Sequence, residues 1–397
     1  MSTITDEERS TGGDGRSSAL PPWLPIAVFV VVRVAAFAAL ALAPTEPVQV
    51  ELPTVGPEPY QGIEGQLTSW DGYFYLDIAE NGYPDHVPTT PTGETAQSSV
   101  SFFPLYPALI AAVDVVTPGS AVAAAILVTT VAAFVAMLLL RELVRSISGS
   151  AAAERAAIMF AVFPGAFVFS LAYTEALVLA FSVGALLAVR RSHWLVAGIL
   201  AALATATRPD AAVLVLPLAW VAYRAIRTDR DWKALLAPAL APVGAVLALG
   251  YIGWQTGVAG AYFRVQNQAF GLKPDFGKTS IVHLRDTAFA VVGGDSVTLG
   301  VVLRTAAIIF AVAAFYALWR WRPPAELWIF AVAVFMAGWL NTLSVPPRVV
   351  LRAFPLVAAV GVELKGKLFA VVATVFAALQ LLLIYLAVYP GGLDFLP

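Results

Sequence analysis

The sequence contains no cysteine, so it forms no disulfide and offers no thiolate to a metal. Its histidines, His86, His193 and His283, stand too far apart in sequence to suggest a histidine metal centre. Charge is scarce as well. Charged residues make up 13% of the 397 positions, against about 25% in an average soluble domain. With 59% of its residues hydrophobic, a soluble fold of this size could not hide its apolar surface. No glycine-rich dinucleotide turn and no Walker loop occurs, which removes the usual grounds for nucleotide chemistry. Nothing in the sequence points to a nucleic-acid partner.

What the chain does have is a succession of apolar runs separated by short basic clusters, the pattern of spans in a bilayer whose core is about 30 Å thick. The runs lie near 22–43, 120–140, 156–170, 173–189, 194–207, 211–224, 235–254, 297–319, 327–343, 349–360 and 368–388. They predict an all-α polytopic membrane protein with about eleven transmembrane helices. Residues 1–20 are polar and rich in Gly, Ser and Thr, and read as a disordered cytoplasmic tail. The transmembrane domain is expected over 21–390, with an outer tail at 391–397. The run from Trp23 to Ala43 is too long for the apolar core of a cleaved signal and reads as a first span.

Orientation follows from the basic residues. Between Arg33 and Arg141 there is no Lys or Arg, while Glu46, Glu51, Glu58, Glu64, Asp71, Asp77, Glu80, Asp85 and Glu94 all lie there. This loop, 45–119, is therefore expected on the outer face. Clusters at Arg141/Arg145/Arg155, Arg190/Arg191, Arg224–Lys233, Arg320/Arg322 and Lys365/Lys367 then fall inside, provided that 102–116 lies flat as a juxtamembrane helix rather than crossing. A second outer loop is expected at 255–296. Arg33, inside the first span, is expected to snorkel toward the cytoplasm. Asp229-Arg230-Asp231 has a metal-site spacing but sits in a basic link and reads as a solvated turn.

Candidate chemistry gathers on the outer side. The first loop carries Ser69-Trp70-Asp71-Gly72-Tyr73-Phe74-Tyr75-Leu76-Asp77, continuing to Glu80-Asn81-Gly82-Tyr83. If helical, it places Tyr73, Leu76 and Asp77 near one face, with Gly82 as the stop. Aromatic rings can pack on the apolar face of a pyranose, and a carboxylate can accept a hydroxyl proton. The alternative is an interfacial aromatic belt. Phe102-Phe103-Pro104-Leu105-Tyr106-Pro107 reads mainly as a bent structural entry to the flat helix. Glu175 opens an apolar span and is costly to bury without a partner. Arg208 could grip a phosphate, or simply pair with Asp210. Gln266 lies among aromatics. Lys273, Lys278 and Arg285 in the second loop, and Arg348 with Arg352 at a span end, are cations against the charge bias, as an anionic head group would require.

Taken together, these segments resemble the PIG-V family, the mannosyltransferases related to GPI mannosyltransferase 2. The resemblance rests on Trp70-Asp71 through Ile78-Ala79-Glu80-Asn81-Gly82-Tyr83, the Phe102–Pro107 motif, and Ala172-Tyr173-Thr174-Glu175-Ala176. It continues with Thr207-Arg208-Pro209-Asp210, Gln266, and Pro347-Arg348 through Phe354-Pro355. Eukaryotic members look more like Arg-Ser-Asn where this chain has Arg208-Pro209-Asp210, and its Ala- and Val-rich composition looks bacterial, which argues against a GPI acceptor. The resemblance implies a GT-C-like fold and a polyprenyl-phosphate sugar donor, most simply mannose. It implies transfer at the outer face of the cell membrane to a glycolipid, glycan or protein hydroxyl. Asp71 would be the catalytic acid residue of the first outer loop. Trp70, Asp77, Tyr83, Glu175, Arg208, Asp210, Gln266, Arg348 and Arg352 are the expected substrate-binding residues, with Arg208, Arg348 and Arg352 on the phosphate. No cofactor is called for, and the only metal with room to act is a weakly bound divalent cation between Asp71 and the phosphate. The rival expectations are a secondary transporter or lipid-linked-sugar flippase, which would place ionisable groups at mid-membrane, and a GT-C enzyme using another lipid-linked sugar such as arabinose.

Overall fold

The computed structural model describes residues 20–44, 56–293 and 296–389. The expected tails (Leu20 apart) and residues 45–55 of the first loop lie outside the described residues.

Helix α1 (Leu24–Leu42) is followed by the short α2 (Gly62–Leu67), by α3 (Asp71–Asn81) and by α4 (Leu105–Asp114). With 10 residues, α4 reaches about 15 Å, half a bilayer core. It is too short to cross, as the charge pattern requires. Helix α5 (Ala121–Ser148) runs for 28 residues and stops at Gly149, whose φ of 78° starts α6 (Ser150–Val162) in a new direction. Pro164 then ends α6, and the 3-10 turn Pro164–Ser170 leaves it at a bend of 69°. Next come α7 (Glu175–Arg190), α8 (Trp194–Thr207), a second 3-10 turn (Pro209–Leu214) leading into α9 (Val215–Asp229), α10 (Leu236–Leu240) and α11 (Val243–Thr256). The second predicted loop holds α12 (Ala261–Gln268) and α13 (Lys278–Gly293). The chain continues through α14 (Leu299–Trp321), α15 (Ala325–Trp339), the short α16 (Pro347–Arg352), α17 (Phe354–Glu363) and α18 (Gly366–Val388). Among the described residues there is no strand, only isolated bridges such as Pro274 with Asn341.

Among the described residues, six spans are long and apolar enough to cross a membrane, or seven if the bent pair at Pro164 counts as one. The expected count of eleven is not confirmed, and burial explains why several apolar runs fall outside this set. Helices α6, α7 and α17 are enclosed on nearly every side by other helices. Their continuous apolar sequence answers to protein, not to lipid. The runs at 194–207 and 327–343 became α8 and α15, of 14 and 15 residues, each about 20 Å long. Small residues allow this close packing. A Cβ on Gly244 of α11 would sit 1.8 Å from the Ala202 carbonyl oxygen of α8, so only glycine fits that crossing.

Arg33 does not snorkel. It is buried, and its guanidinium donates to the Ala166 carbonyl at 3.0 Å and the Ser170 hydroxyl at 2.7 Å, and to the Gln380 side-chain oxygen. Gln380 in turn donates to the carbonyls of Ala161, at 3.2 Å, and Phe163, at 2.6 Å. These are carbonyls at and near the break at Pro164, which removes an N–H from the helix. The break supplies acceptors, and α1 and α18 supply the donors that satisfy them.

The molecule has two polar ends, marked by α7. Its 16 residues, about 24 Å, separate Glu175 from Arg190. At the Arg190 end, Arg190 pairs with Glu326 at 2.7 Å, Arg141 with Glu154 at 2.5 Å, and Glu142 holds both Arg145 and Arg191. The Trp321 indole N–H donates to Ser148 at 2.7 Å, bringing the end of α14 to the same place. The basic clusters expected to share a side therefore do share an end.

Candidate functional site

At the other end, three acids stand at helix starts. Asp71 is the first residue of α3, Glu175 the first of α7, and Asp210 lies in the opening turn of Pro209–Leu214. For α3 and α7, the N-terminal amides carry a partial positive charge that favours a carboxylate. Trp70, immediately before Asp71, has φ 61°, a left-handed conformation that is strained for a bulky residue. Its indole N–H donates to the Ala387 carbonyl at 3.1 Å, which ties the start of α3 to the end of α18.

This start sets the phase of α3. Its inward face carries Asp71, Tyr75 and Ile78, one and two turns apart. The Tyr75 ring lies edge-on to Phe102 and Tyr106, each 5.1 Å away, and its hydroxyl is 3.2 Å from Thr174 Oγ1. The Phe102–Pro107 motif thus packs against α3, though Phe102 and Phe103 also reach the cavity described below.

The acids meet arginines in an alternating chain. Arg348 of α16 lies 2.7 Å from Asp71 and 3.7 Å from Glu175, with its guanidinium 5.8 Å from the centre of the Tyr173 ring. Arg208, in extended backbone after α8, lies 3.3 Å from Glu175 and 3.2 Å from Asp210, and donates to Thr174 at 3.0 Å. Arg352, one turn beyond Arg348, closes the chain on Asp210. Glu175 is fully buried, which only such pairing makes tolerable. Gly165 lets this happen: a Cβ there would sit 2.4 Å from the carbonyl oxygen of Pro347, so the turn after the Pro164 break presses directly on the start of α16.

The chain borders a cavity of about 730 Å³, lined also by Tyr262, Gln266, Lys273 and Arg304. Several polar atoms around it are buried with no hydrogen-bond partner: Glu175 Oε2, Gln266 Oε1, and the Nε atoms of Arg348 and Arg352. Orphaned atoms of this kind call for a ligand or water. Burial pushes the Tyr262 hydroxyl up to about 12, against the pull of Arg208, so it remains a neutral donor. Among the described residues, no group of three or more His, Asp or Glu is placed to hold a metal ion.

The structure thus brings together Asp71, Glu175, Arg208, Asp210, Arg348 and Arg352, with Gln266 on the wall, anchored by its side-chain amide to the Ser101 carbonyl at 3.0 Å. Trp70, Asp77 and Tyr83 do not join them at the cavity. Trp70 is a tether, Asp77 accepts a hydrogen bond from Asn81 at 3.1 Å one turn along α3, and the Tyr83 hydroxyl donates to the Phe102 carbonyl at 2.5 Å. The expected Arg208–Asp210 pair exists but is one link of the larger chain. Sequence reasoning missed Tyr75 and Arg304. Arg304 was legible, because an arginine within an apolar run marks a functional position by default.

Residues 32–227 match the family described as Mannosyltransferase (PIG-V). No curated protein matches the chain. Among solved structures, the chain is similar to ArnT from Cupriavidus metallidurans bound to undecaprenyl phosphate, with 16% identity and a TM-score of 0.50 over 88% of this chain and 62% of that one. It is also similar to the Archaeoglobus fulgidus oligosaccharyltransferase AglB in complex with an inhibitory peptide and a dolichol-phosphate, with 15% identity and a TM-score of 0.49 over 94% of this chain and 56% of that one. The chain therefore spans little more than half the length of these proteins. At this identity the likeness concerns the fold alone, which is GT-C-like.

Proposed function

We propose that the chain, whose residues 32–227 match the PIG-V mannosyltransferase family, is a membrane glycosyltransferase. In this reading it transfers a sugar, mannose by family, from a polyprenyl-phosphate donor to an acceptor hydroxyl. The observation that carries this reading is Asp71, poised at a helix start on the wall of a cavity rich in arginine. The undecaprenyl phosphate bound by ArnT supports the donor class.

The reaction is a direct displacement with inversion. The acceptor oxygen attacks the anomeric carbon while its proton passes to Asp71. The bond from that carbon to the phosphate oxygen breaks, and its electron pair leaves with the polyprenyl phosphate. Cations in the cavity oppose the charge that develops there. The scheme uses no cofactor. The cavity end faces away from the cytoplasm in the cell membrane, a reading supported by the basic clusters gathered at the opposite end. The acceptor is a glycolipid, glycan or protein carried on that face.

The test is transfer from radiolabelled polyprenyl-phosphate mannose to a membrane extract by purified protein in lipid. Asp71→Asn is expected to lose about 10²- to 10⁴-fold in rate while remaining folded. Undiminished transfer by this variant would remove Asp71 from the chemistry, and no donor consumption by the parent would remove the enzyme reading.

A further inference from the structure

Arg208, Arg348 and Arg352 were the expected phosphate ligands, and their geometry argues for a different task. In a displacement with inversion, base and leaving phosphate stand on opposite sides of the anomeric carbon. The base lies about 3 Å from the attacking oxygen, which lies about 3 Å from that carbon. The phosphate is therefore roughly 7 Å or more from the Asp71 carboxylate. Arg348, at 2.7 Å from Asp71, is on the attacking side. Arg208 and Arg352 belong to the same chain of ion pairs, and Asp210 holds both.

Two cations line the cavity outside that chain, and one short link carries both. This is the segment between α15 and α16, from Leu340 to Ser344. The Lys273 N–H donates to Thr342 Oγ1 at 3.1 Å, and the Thr342 N–H returns to the Lys273 carbonyl at 3.0 Å. Next door, Arg304 Nε donates to the Leu343 carbonyl at 3.0 Å. The Lys273 backbone and the Arg304 guanidinium therefore meet the link at adjacent residues of the same wall, Lys273 exposed and Arg304 largely buried, with Asn341 and Thr342 lining the cavity beside them.

We infer that Lys273 and Arg304 hold the phosphate of the donor, and that Arg348 is a positioning residue for Asp71. The inference rests on reading the cavity as a polyprenyl-phosphate site. It divides the cavity into an attacking side, built on α3, α7 and α16, and a leaving-group side, built on the 340–344 link and α14. Lys273 supplies an exposed point charge on a flexible stem, and Arg304 a planar guanidinium suited to phosphate oxygens.

The experiment measures binding of undecaprenyl phosphate, without turnover, to the full chain in lipid nanodiscs. It also measures KM and kcat for the sugar-loaded donor. Lys273→Glu and Arg304→Gln are expected to weaken binding and raise KM at least tenfold, and Arg304→Lys to recover part of the loss. Asp71→Asn is expected to bind as the parent does and to lose kcat. Lys273 is exposed, so its reversal leaves the fold intact, and parental binding by Lys273→Glu overturns the assignment even if the Arg304 variants fail to fold. Inorganic phosphate or phosphatidylglycerol displacing the lipid equally well would mark a general anion site and overturn it too. Failure of the parent to bind undecaprenyl phosphate would instead sink the donor reading on which the inference stands.

Discussion

Asp71 and Arg348 come from positions 277 residues apart and meet in a buried ion pair. Removing one partner of such a pair costs about 3–5 kcal/mol, because the other charge is left without compensation. Arg348→Gln is therefore expected to lower stability by roughly 3 kcal/mol. Adding Asp71→Asn should restore much of it, as thermal unfolding in detergent would show. Strictly additive losses would mean that the two side chains do not interact in the folded protein. The charged members of this site were legible in the sequence for a physical reason. Each is a charge that the surrounding composition disfavours, an acid in an arginine-free loop or an ion beside an apolar run. Trp70, Asp77 and Tyr83 do not line the cavity, and grouping them with Asp71 let proximity in sequence stand in for helix phase. Once α3 begins at Asp71, Tyr75 rather than Asp77 shares its face. That starting point depends on the left-handed backbone at Trp70, which no periodicity reports.

At the level of elements, the least legible feature was the break at Pro164. A proline within an apolar run announces a kink, but not which distant side chains will repair it. Arg33 looked like a snorkelling residue because nothing nearby in sequence could receive it. Its partners are the Ala166 carbonyl, Ser170 and Gln380. Gln380→Leu would leave the carbonyl of Ala161 and one arm of Arg33 buried without partners, at about 1–3 kcal/mol for each group, whereas the Phe163 carbonyl keeps the Ala166 N–H at 2.8 Å. The variant is expected to melt well below the parent, and an unchanged melting temperature would show that water replaces the amide. Helices α6, α7 and α17 teach a related lesson. An apolar run reports low polarity around a segment, and a helix enclosed by other helices meets that condition as fully as one in lipid.

At the scale of the whole molecule, the charge walk along the sequence foresaw the arrangement of the two ends better than the number of spans. It needed only that 102–116 not cross, and α4 is too short to do so. Because the chain has no cysteine, sidedness can be read by single replacements at exposed positions. His86→Cys is expected to react with a membrane-impermeant maleimide added to intact cells, and His193→Cys only after lysis. The reverse pattern would invert the proposed orientation while leaving the fold as described.

The hydrogen bond from Trp70 to Ala387 couples the acid of the site to the final turn of α18. Tension on the C-terminal end of α18 would load that bond, and with it the strained residue beside Asp71, as a draw-cord does. A purification tag or reporter joined close behind Val388 would pull on that cord, so it belongs on a long, slack spacer. For the same reason, a cross-link that immobilises the end of α18 would be a way to jam the site without touching its cavity.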